Sequence, residues 1–255
     1  MKNIFIKKSN PIKKLSSILK ANSGRDNTGT VSVRHQGGGH KRKYRMIDFS
    51  RNDVGTKWKV VGFEYDPNRS ANLARVRNEK GDQKYMLHTH SVKIGQDMGT
   101  YNEGDAEIGK TMPLSAIPLG SEIHNLSNTP SSKAKMIRSS GNYGVILSKD
   151  ENYADIKLPS KEVKKFLLGC LATVGRVAEA PKVKKSKAGR TRHLGIRPTV
   201  RGVAQNPRSH PHGGGEGRSG EGMHPKTPWG KPARGKRTAF KLRSSRQLIV
   251  KSRKD

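Results

Sequence analysis

Apolar residues fall into short, β-rich runs separated by polar turns over most of the first 180 positions. Runs of four to eight residues that alternate apolar and polar side chains, or are rich in β-branched and aromatic residues, indicate strands. Before residue 109 the pattern predicts five strands, at 30–35, 44–49, 58–65, 72–78 and 83–88. Short strands at this even spacing are typical of a small barrel.

A second set of β-rich runs begins near residue 109. It predicts six more strands, at 121–126, 133–138, 144–148, 154–158, 163–168 and 173–177. Polar turns such as residues 139–142 separate them, so the pattern indicates a second small barrel. Near the N-terminus Ile12, Leu15 and Leu19 share a helical spacing, which predicts a short helix.

The last 75 residues have a different composition. Residues 181–255 contain eleven glycines and seven prolines and show no sustained period. Such a segment cannot bury a core of its own, so we expect it to be extended or irregular and to be ordered by a partner. The sequence thus predicts four regions: a basic arm at 1–24, barrels at 25–108 and 109–180, and a basic tail at 181–255.

The charge is large and uneven. The 255 residues carry a net charge of +32, of which residues 181–255 contribute +18 and residues 1–24 contribute +6. Residues 25–180 contribute only +8, as an ordinary basic domain would. Cations concentrated in the two terminal regions indicate a polyanionic partner, and nucleic acid is the expected one.

Several other functional classes lack support in the sequence. Residues 215–220 match G-x-G-x-x-G, but prolines flank them and no acidic residue occurs between 222 and 254, unlike a dinucleotide-binding site. The single cysteine, Cys170, lies far from the histidines of the tail, so a zinc site is not predicted. His88 and His90 are expected to be a surface pair rather than metal ligands. No apolar run reaches the ~18 residues that suggest a membrane span, so we expect no membrane association.

Two segments carry the residue types that bind RNA. Glycines allow close backbone approach, whereas arginine, lysine and histidine donate hydrogen bonds to phosphates and base edges. In the N-terminal half the predicted RNA-binding residues are Arg34, His35, Gly37, Gly38, Gly39, His40, Lys41, Arg42, Lys43 and Arg69. In the tail they are Arg190, Arg192, Arg197, Arg201, His210, His212, Gly213, Gly214, Gly215, Arg218, Lys226, Trp229 and Lys231.

Some of these residues have alternative interpretations. A solvated hairpin loop also explains residues 37–43, and Trp229 either stacks on a base or packs under a local turn. His210 or His212 serving as a catalytic base would require an orienting acid. Glu216, on glycine-rich backbone, is the only candidate. No catalytic residue is therefore predicted.

Five segments carry a specific resemblance, namely 24–49, 64–76, 118–126, 197–218 and 227–231. In this order they resemble the universal large-subunit ribosomal protein two, the L-two family, from about residue 24 to residue 240. The resemblance implies a mostly β fold in which an OB-fold barrel precedes an SH3-like barrel, with a basic N-terminal arm and a long, irregular Gly/Pro-rich C-terminal extension.

The resemblance also implies function. A protein of this family is a structural constituent of the large ribosomal subunit that binds rRNA near the peptidyl-transferase region. It supports assembly and subunit association, with other ribosomal proteins and small-subunit rRNA at an intersubunit bridge as further partners. No cofactor is expected beyond rRNA-associated Mg²⁺. The lysine-rich, acid-free N-terminal segment, which looks shorter than in bacterial members, favours a mitochondrial over a bacterial ribosome.

The chain departs from the family pattern at two places in the tail. Ser209 stands where an acidic residue usually precedes His-Pro-His, and residues 220–224 look like an insertion. The serine argues against a catalytic acid–histidine pair. Two alternatives remain at this point: an enzyme that uses a tail histidine as base, and a DNA-binding protein of the nucleoid type.

Overall fold

The computed structural model describes residues 11–181, 185–236 and 247–253. The chain forms two compact units. One, hereafter the barrel unit, comprises 1–19, 42–183 and 244–255; the other, hereafter the loop unit, comprises 20–41 and 184–243. The domain limits given by the sequence pattern stay predictions.

The first barrel is built from five strands. They are β1 (Ser16–Ile18), β2 (Lys43–Arg45), β3 (Lys59–Glu64), β4 (Leu73–Arg77) and β5 (Gln83–Leu87). β1 and β2 form an antiparallel pair, and β3, β4 and β5 form an antiparallel meander. A parallel bridge between Ile47 and Tyr85 connects the chain after β2 to β5. The meander therefore joins the short N-terminal pair to make the barrel wall.

Eight further strands precede the tail. They are β6 (Thr111–Pro113), β7 (Glu122–His124), β8 (Leu126–Ser127), β9 (Ala134–Met136), β10 (Gly144–Lys149), β11 (Tyr153–Lys157), β12 (Val163–Leu167) and β13 (Leu171–Val174). β8 pairs with β9 alone. The others, with the tail strand β14 (Ile249–Lys251), form a seven-stranded antiparallel sheet in the order β14-β12-β11-β10-β7-β13-β6.

Alternating burial along these strands produces the hydrophobic cores. In β4, Ala74 and Val76 face the first barrel's core with Trp58, whereas Leu73 faces a second cluster that contains Tyr85. The second barrel has its own core. Its fully buried members include Met112, Leu114, Ile117, Ile123, Leu126, Ile146 and Ile156. The predicted fold class, mostly β with an OB-fold barrel followed by an SH3-like barrel, is confirmed.

Two predicted elements are wrong. Residues 30–35 form no strand: the Gly24 carbonyl accepts hydrogen bonds from the amides of Ser32 and Val33, and both Val31 and Val33 are exposed. The alternation there reflects a local loop rather than a sheet face. The predicted N-terminal helix is a single 3-10 turn at Lys13–Leu15.

Sheet pairing explains why that helix does not continue. Ile12 and Leu15 pack against the cluster around Tyr85, and the Ile12 amide donates to the Tyr85 hydroxyl at 2.9 Å. Immediately afterwards the chain extends into β1, and Leu19 is exposed. The hydrogen bonds that β1 exchanges with β2 replace those of a helix.

The Gly/Pro-rich tail contributes more regular structure than its composition predicts. Its helix α1 (Ala188–His193) is short, and a 3-10 turn follows at Gly202–Ala204. The strand β14 pairs with β12 at the edge of the seven-stranded sheet. The tail therefore supplies most of the loop unit. It also returns to pair with the edge strand β12, which reduces the exposure of unpaired backbone groups.

One buried arginine connects the strands of the barrel unit. Arg51 is 2% exposed and donates hydrogen bonds to the carbonyl oxygens of Asn125 (2.8 Å) and Leu171 (3.2 Å). Burial lowers its pKa to about 10, and the nearby Asp48 opposes that shift. Arg51 thus satisfies carbonyl groups from two distant segments, which is a structural use of a cation.

Two histidines of the barrel unit are held neutral by burial. His124 donates from Nδ1 to the Gly175 carbonyl at 2.8 Å and lies 3.2 Å from the Thr89 hydroxyl through Nε2. His88 stacks on Phe63 with ring centroids 3.9 Å apart, and its ring nitrogens have no partner among the described residues. Burial lowers the pKa of each ring to about 4. The prediction that His88 belongs to a surface pair is wrong.

These shifts predict acid sensitivity of the barrel unit. A ring with a pKa near 6.5 in the unfolded chain and about 4 in the fold binds its proton more readily when unfolded. The stabilisation is complete above pH 6.5 and is lost as pH falls towards 4. Each ring contributes about 3 kcal/mol at most. Urea unfolding of the full chain at pH 7, 5.5 and 4.5 measures this loss.

The variant His124→Gln serves as the control for that measurement. It keeps a donor near the Gly175 carbonyl but does not titrate, so its stability should be lower at pH 7 and vary less between pH 7 and 4.5. An unfolding free energy that stays constant for the native chain over this range would contradict the prediction.

Candidate nucleic-acid interface

The glycine run of residues 37–39 lies against the chain that follows α1. The Gly37 amide donates to the Gly195 carbonyl at 2.8 Å, and the His40 amide donates to the His193 carbonyl at 2.9 Å. A further bond runs from the Arg197 amide to the His35 carbonyl at 3.0 Å. Two segments that are far apart in sequence therefore form one ladder in the loop unit, with basic side chains from both.

This ladder depends on the absence of side chains where the two backbones meet. A Cβ atom on Gly39 would lie 2.9 Å from the Gly195 Cα atom, closer than real Cβ contacts allow. Gly37 and Gly38 have φ values of 130° and 67°, which favour glycine. The glycine run therefore allows close approach of the protein's own backbone, and its close approach to RNA stays a prediction.

We expect Gly39→Ala to open the ladder. The added methyl group cannot move away from backbone atoms, so overpacking should cost about 1–3 kcal/mol locally. Hydrogen exchange at the amides of Gly37 and His40 should speed up at least tenfold, and affinity for rRNA should fall.

Gly189→Ala is the matched control, because Gly189 lies in α1 and a Cβ atom added there would have nothing within 4 Å. Alanine should stabilise that helix by up to about 1 kcal/mol and leave the ladder closed. Equal exchange rates in both variants would contradict the role of Gly39.

The described lysines and arginines of the loop unit form no ion pair with a described carboxylate. Its described residues, 20–41 and 185–236, contain sixteen lysines and arginines but only Asp26, Glu216 and Glu221 as acids. All ion pairs among the described residues lie in the barrel unit. Asp26 instead accepts hydrogen bonds from Thr28 and Thr30. The described part of the loop unit therefore presents a large excess of positive charge with no ion pairs.

Trp229 is an exposed aromatic residue of this unit. Its side chain is 74% exposed, and the guanidinium carbon of Arg34 lies 5.3 Å from the ring centroid. This exposure disagrees with packing under a local turn. A planar guanidinium on an indole ring is a cation–π contact, and the pair offers flat surfaces on which an RNA base can stack.

His212 has a structural position. It is 7% exposed; its Nε2 accepts a hydrogen bond from the Lys226 amide at 2.7 Å, and its Nδ1 donates to the Glu221 carbonyl at 3.0 Å. Both ring nitrogens are occupied by backbone groups, which fixes the neutral Nδ1–H tautomer. This geometry gives the ring a role in closing the loop of residues 212–226, and contact of His212 with RNA stays a prediction.

His210, unlike His212, has one ring nitrogen without a described hydrogen-bond partner. Its Nδ1 accepts from the His212 amide at 3.0 Å, so the proton of the neutral ring lies on Nε2. The ring packs against Gly202, where a Cβ atom would lie 2.5–2.8 Å from ring atoms. The rings of His210 and His212 contact each other at an angle of 31°, with their centroids 5.2 Å apart. RNA contact through His210 stays a prediction.

The glycines after His212 are also required by the fold. A Cβ atom on Gly213 would lie 2.5 Å from the carbonyl oxygens of Gln205 and Asn206. Gly214 and Gly215 have φ values of 87° and 88°. Their contact with RNA stays a prediction, whereas their need for backbone freedom within the chain is evident.

Three predicted RNA-binding residues lie together in the barrel unit. Arg42 donates to the Pro67 carbonyl at 3.5 Å, and the Asn68 side chain donates to the Lys43 carbonyl at 2.8 Å. In the same turn, Arg69 pairs with Asp66 at 2.6 Å. Arg69 is therefore partly neutralised, and Arg42 and Lys43 are the freer cations of this group.

The remaining predicted residues lie in the loop unit and form no side-chain ion pair within its described part. Lys41 follows the ladder, Arg190 and Arg192 lie on α1, and Arg201 precedes the 3-10 turn. The tail also supplies Arg218, Lys226 and Lys231. Sequence reasoning missed the polar side chains of Thr199, Asn206 and Ser209, which carry no charge.

Other kinds of site find no support in the described part of the chain. Across 11–181, 185–236 and 247–253, no group of three His, Cys, Asp or Glu side chains is placed to hold a metal ion. In those ranges no helix has the length and apolar character to cross a membrane.

Comparison with known protein families explains this arrangement. Residues 12–100 match the family model described as Ribosomal Proteins L2, RNA binding N-terminal domain, and residues 107–230 match that described as Ribosomal Proteins L2, C-terminal domain. The chain belongs to the ribosomal protein L2 family. As an L2 protein it is a structural, RNA-binding component of the large ribosomal subunit rather than a classical enzyme. Its partners are rRNA and other ribosomal proteins.

Each L2 match covers one barrel of the barrel unit and part of the loop unit. The N-terminal match covers the first barrel together with the glycine run of 37–39, and the C-terminal match covers the second barrel together with α1 and the loop of 212–226. Both L2 domains therefore contribute segments to the loop unit, in which no described cation forms an ion pair.

Proposed function

We propose that this L2-family protein binds rRNA near the peptidyl-transferase region, supports large-subunit assembly, and contacts small-subunit rRNA at an intersubunit bridge. The observation that carries the proposal is the set of unpaired cations in the loop unit. Neutralising rRNA phosphates with them would release counterions and let RNA helices approach one another. Glycine-rich backbone next to those cations allows close contact with irregular RNA.

The barrel unit has a supporting role in this proposal. Some of its cations pair with carboxylates, as Lys84 does with Asp48 and Asp53. Arg42 and Lys43 add a smaller set of phosphate contacts beside the turn at 66–69. The barrels would position the protein on rRNA, and the loop unit would enter between RNA segments.

The geometry of the tail histidines argues against the enzymatic alternative. A general base needs a free nitrogen and an orienting acid. His212 has both nitrogens bound to backbone groups, and no described carboxylate bonds the ring of His210. Any influence on peptide-bond formation would act through the placement of rRNA.

Crosslinking of the full chain in growing cells tests the proposal. Epitope-tagged protein should sediment with large subunits, and its ultraviolet crosslinks should map to large-subunit rRNA near the peptidyl-transferase region, with a minor set on small-subunit rRNA in joined ribosomes. Crosslinks chiefly to DNA would favour the nucleoid alternative. If the protein sediments with large subunits but crosslinks only to rRNA far from the peptidyl-transferase region, the proposed location is contradicted.

The proposed compartment is a mitochondrial ribosome. It is supported by the six lysines and the absence of acidic residues in 1–24. The described part of that segment is 11–24. Fractionation of the tagged protein in the same cells separates mitochondrial from cytoplasmic ribosomes.

A further inference from the structure

The loop unit contains a cleft of about 520 Å³ between residues 34–35 and the tail. Arg34 and His35 contribute from one segment, and residues 199–210 and Pro228 from the other. This volume lies within the ~300–1,000 Å³ that small-molecule sites occupy, and is far more than an ion requires.

The polar groups of the cleft have no partners within the described part of the protein. No described residue bonds the side chains of Thr199, Asn206 or Ser209, and Gln205 donates to the Val200 carbonyl at 3.2 Å while its Oε1 stays free. The cleft thus offers both donors and acceptors, including the Nε2–H of His210. An amide and hydroxyl set of this kind matches the mixed edge of a nucleobase better than a simple anion.

The other walls of the cleft narrow the choice of ligand. Val200, Ala204 and Pro228 supply apolar surface for the faces of a planar ring. Among the described residues no carboxylate lines the cleft, which disfavours a metal ion or a basic peptide. Arg34, which also lines the cleft, supplies a cation for the phosphate that accompanies a nucleotide.

The backbone around the cleft is held in place before any ligand binds. His35 has a φ of 62°, a conformation uncommon for a non-glycine residue, and its carbonyl is fixed by the Arg197 amide. The His210 ring is fixed by the His212 amide and by Gly202. Strained and fixed residues of this kind are characteristic of binding sites.

We propose that this cleft receives one unstacked nucleotide of rRNA, with its base against Val200, Ala204 and Pro228 and its phosphate near Arg34. The inference rests on the proposed rRNA-binding function and specifies how the loop unit recognises RNA. A single captured nucleotide would fix the register of the protein on rRNA, which phosphate contacts alone do not do.

The test measures binding of the full chain to a large-subunit rRNA fragment that it binds in a salt-dependent way. Each unpaired nucleotide of the fragment is replaced in turn by an abasic residue. At one position the abasic change should weaken binding by about tenfold, the usual scale of one base-stacking contact. Other unpaired positions should change affinity less than about threefold.

Two variants of cleft residues test whether the sensitive nucleotide binds in this cleft. Ala204→Phe fills the cleft without changing charge, and Asn206→Ala removes an amide that bonds no described protein group. Each should weaken binding of the unmodified fragment, and Ala204→Phe should abolish the effect of the sensitive abasic position. Ala233→Phe and Asn27→Ala, at exposed positions of the same unit outside the cleft, are the matched controls.

The possible results distinguish failure of the nucleotide site from failure of the proposed rRNA-binding function. Tight, salt-dependent binding with no sensitive abasic position, or sensitivity that persists in Ala204→Phe, overturns the nucleotide site and leaves the proposed function intact. No salt-dependent binding to any large-subunit fragment overturns both. Displacement of the RNA by millimolar nucleoside monophosphates from the native chain but not from Ala204→Phe would assign the cleft to a free nucleotide and overturn the RNA inference.

Discussion

Replacing His212 by alanine is expected to reduce incorporation of the full chain into large subunits by roughly tenfold or more. Alanine leaves the Lys226 amide and the Glu221 carbonyl without the ring that now bonds both. Each unpaired buried group costs about 1–3 kcal/mol, so the loop between 212 and 226 should lose its shape in free protein. Quantitative mass spectrometry of subunits separated on sucrose gradients measures incorporation.

His212→Gln should assemble better than His212→Ala, because a glutamine amide supplies one donor and one acceptor in place of the two ring nitrogens. His193→Ala is the matched control: that ring is exposed in the same unit and bonds no described group. It should incorporate almost normally.

The same variants separate structure from catalysis. In fully assembled His212→Gln subunits, single-turnover peptidyl transfer should be close to the native rate, since no proton transfer by this ring is required. A loss of several orders of magnitude in well-assembled Gln subunits would contradict the structural role and revive the enzymatic alternative.

The strands of the barrels could be predicted because the alternation and turn residues that specify them lie close together in the sequence. Residues 72–78 and 83–88 alternate around a polar turn, and the observed β4 and β5 pair across that turn from Leu73 with Leu87 to Arg77 with Gln83. Hairpins of this kind need only neighbouring sequence. The same rule failed at 30–35, where Val31 and Val33 alternate but a nearby glycine carbonyl captures the amides.

The candidate site was predictable in composition but not in contacts. The run of glycines and cations at 37–43 indicated a close approach and RNA binding from residue types alone. Its partner, the chain at 193–197, could not be inferred because no periodicity relates segments so distant in sequence. The strand β14 was missed for the same reason, since its pairing with β12 joins residues from opposite ends of a long intervening segment.

His212 shows that residue type alone does not reveal a side chain's contacts within the fold. In sequence it lies beside Pro211 and a glycine run, as an exposed RNA contact would. In the fold, residues nine and fourteen positions later return to occupy both ring nitrogens. Only the path of the loop reveals this, and the prolines and glycines that create the path have no periodic signature.

The second large effect concerns the unpaired cations of the loop unit. We expect the variant Arg190→Gln, Arg192→Gln, Arg197→Gln, Arg201→Gln to bind large-subunit rRNA at least a hundredfold more weakly at moderate salt. Each phosphate contact contributes about 0.7–0.9 to the slope of log affinity against log salt. If all four arginines contact phosphate, the magnitude of that slope should fall by about 3.

The matched control carries the same number of charge removals in the second barrel. Lys133, Lys135, Lys157 and Lys161 are exposed and form no ion pair among the described residues, so their replacement by glutamine changes net charge equally. If net charge alone governed binding, both variants would lose affinity and slope alike. If the loop unit enters the RNA, the control should keep most of its slope, because distant exposed charges are screened within about a Debye length. A native slope of magnitude below about 3, or equal slopes in the two variants, would contradict phosphate contact by this set of arginines.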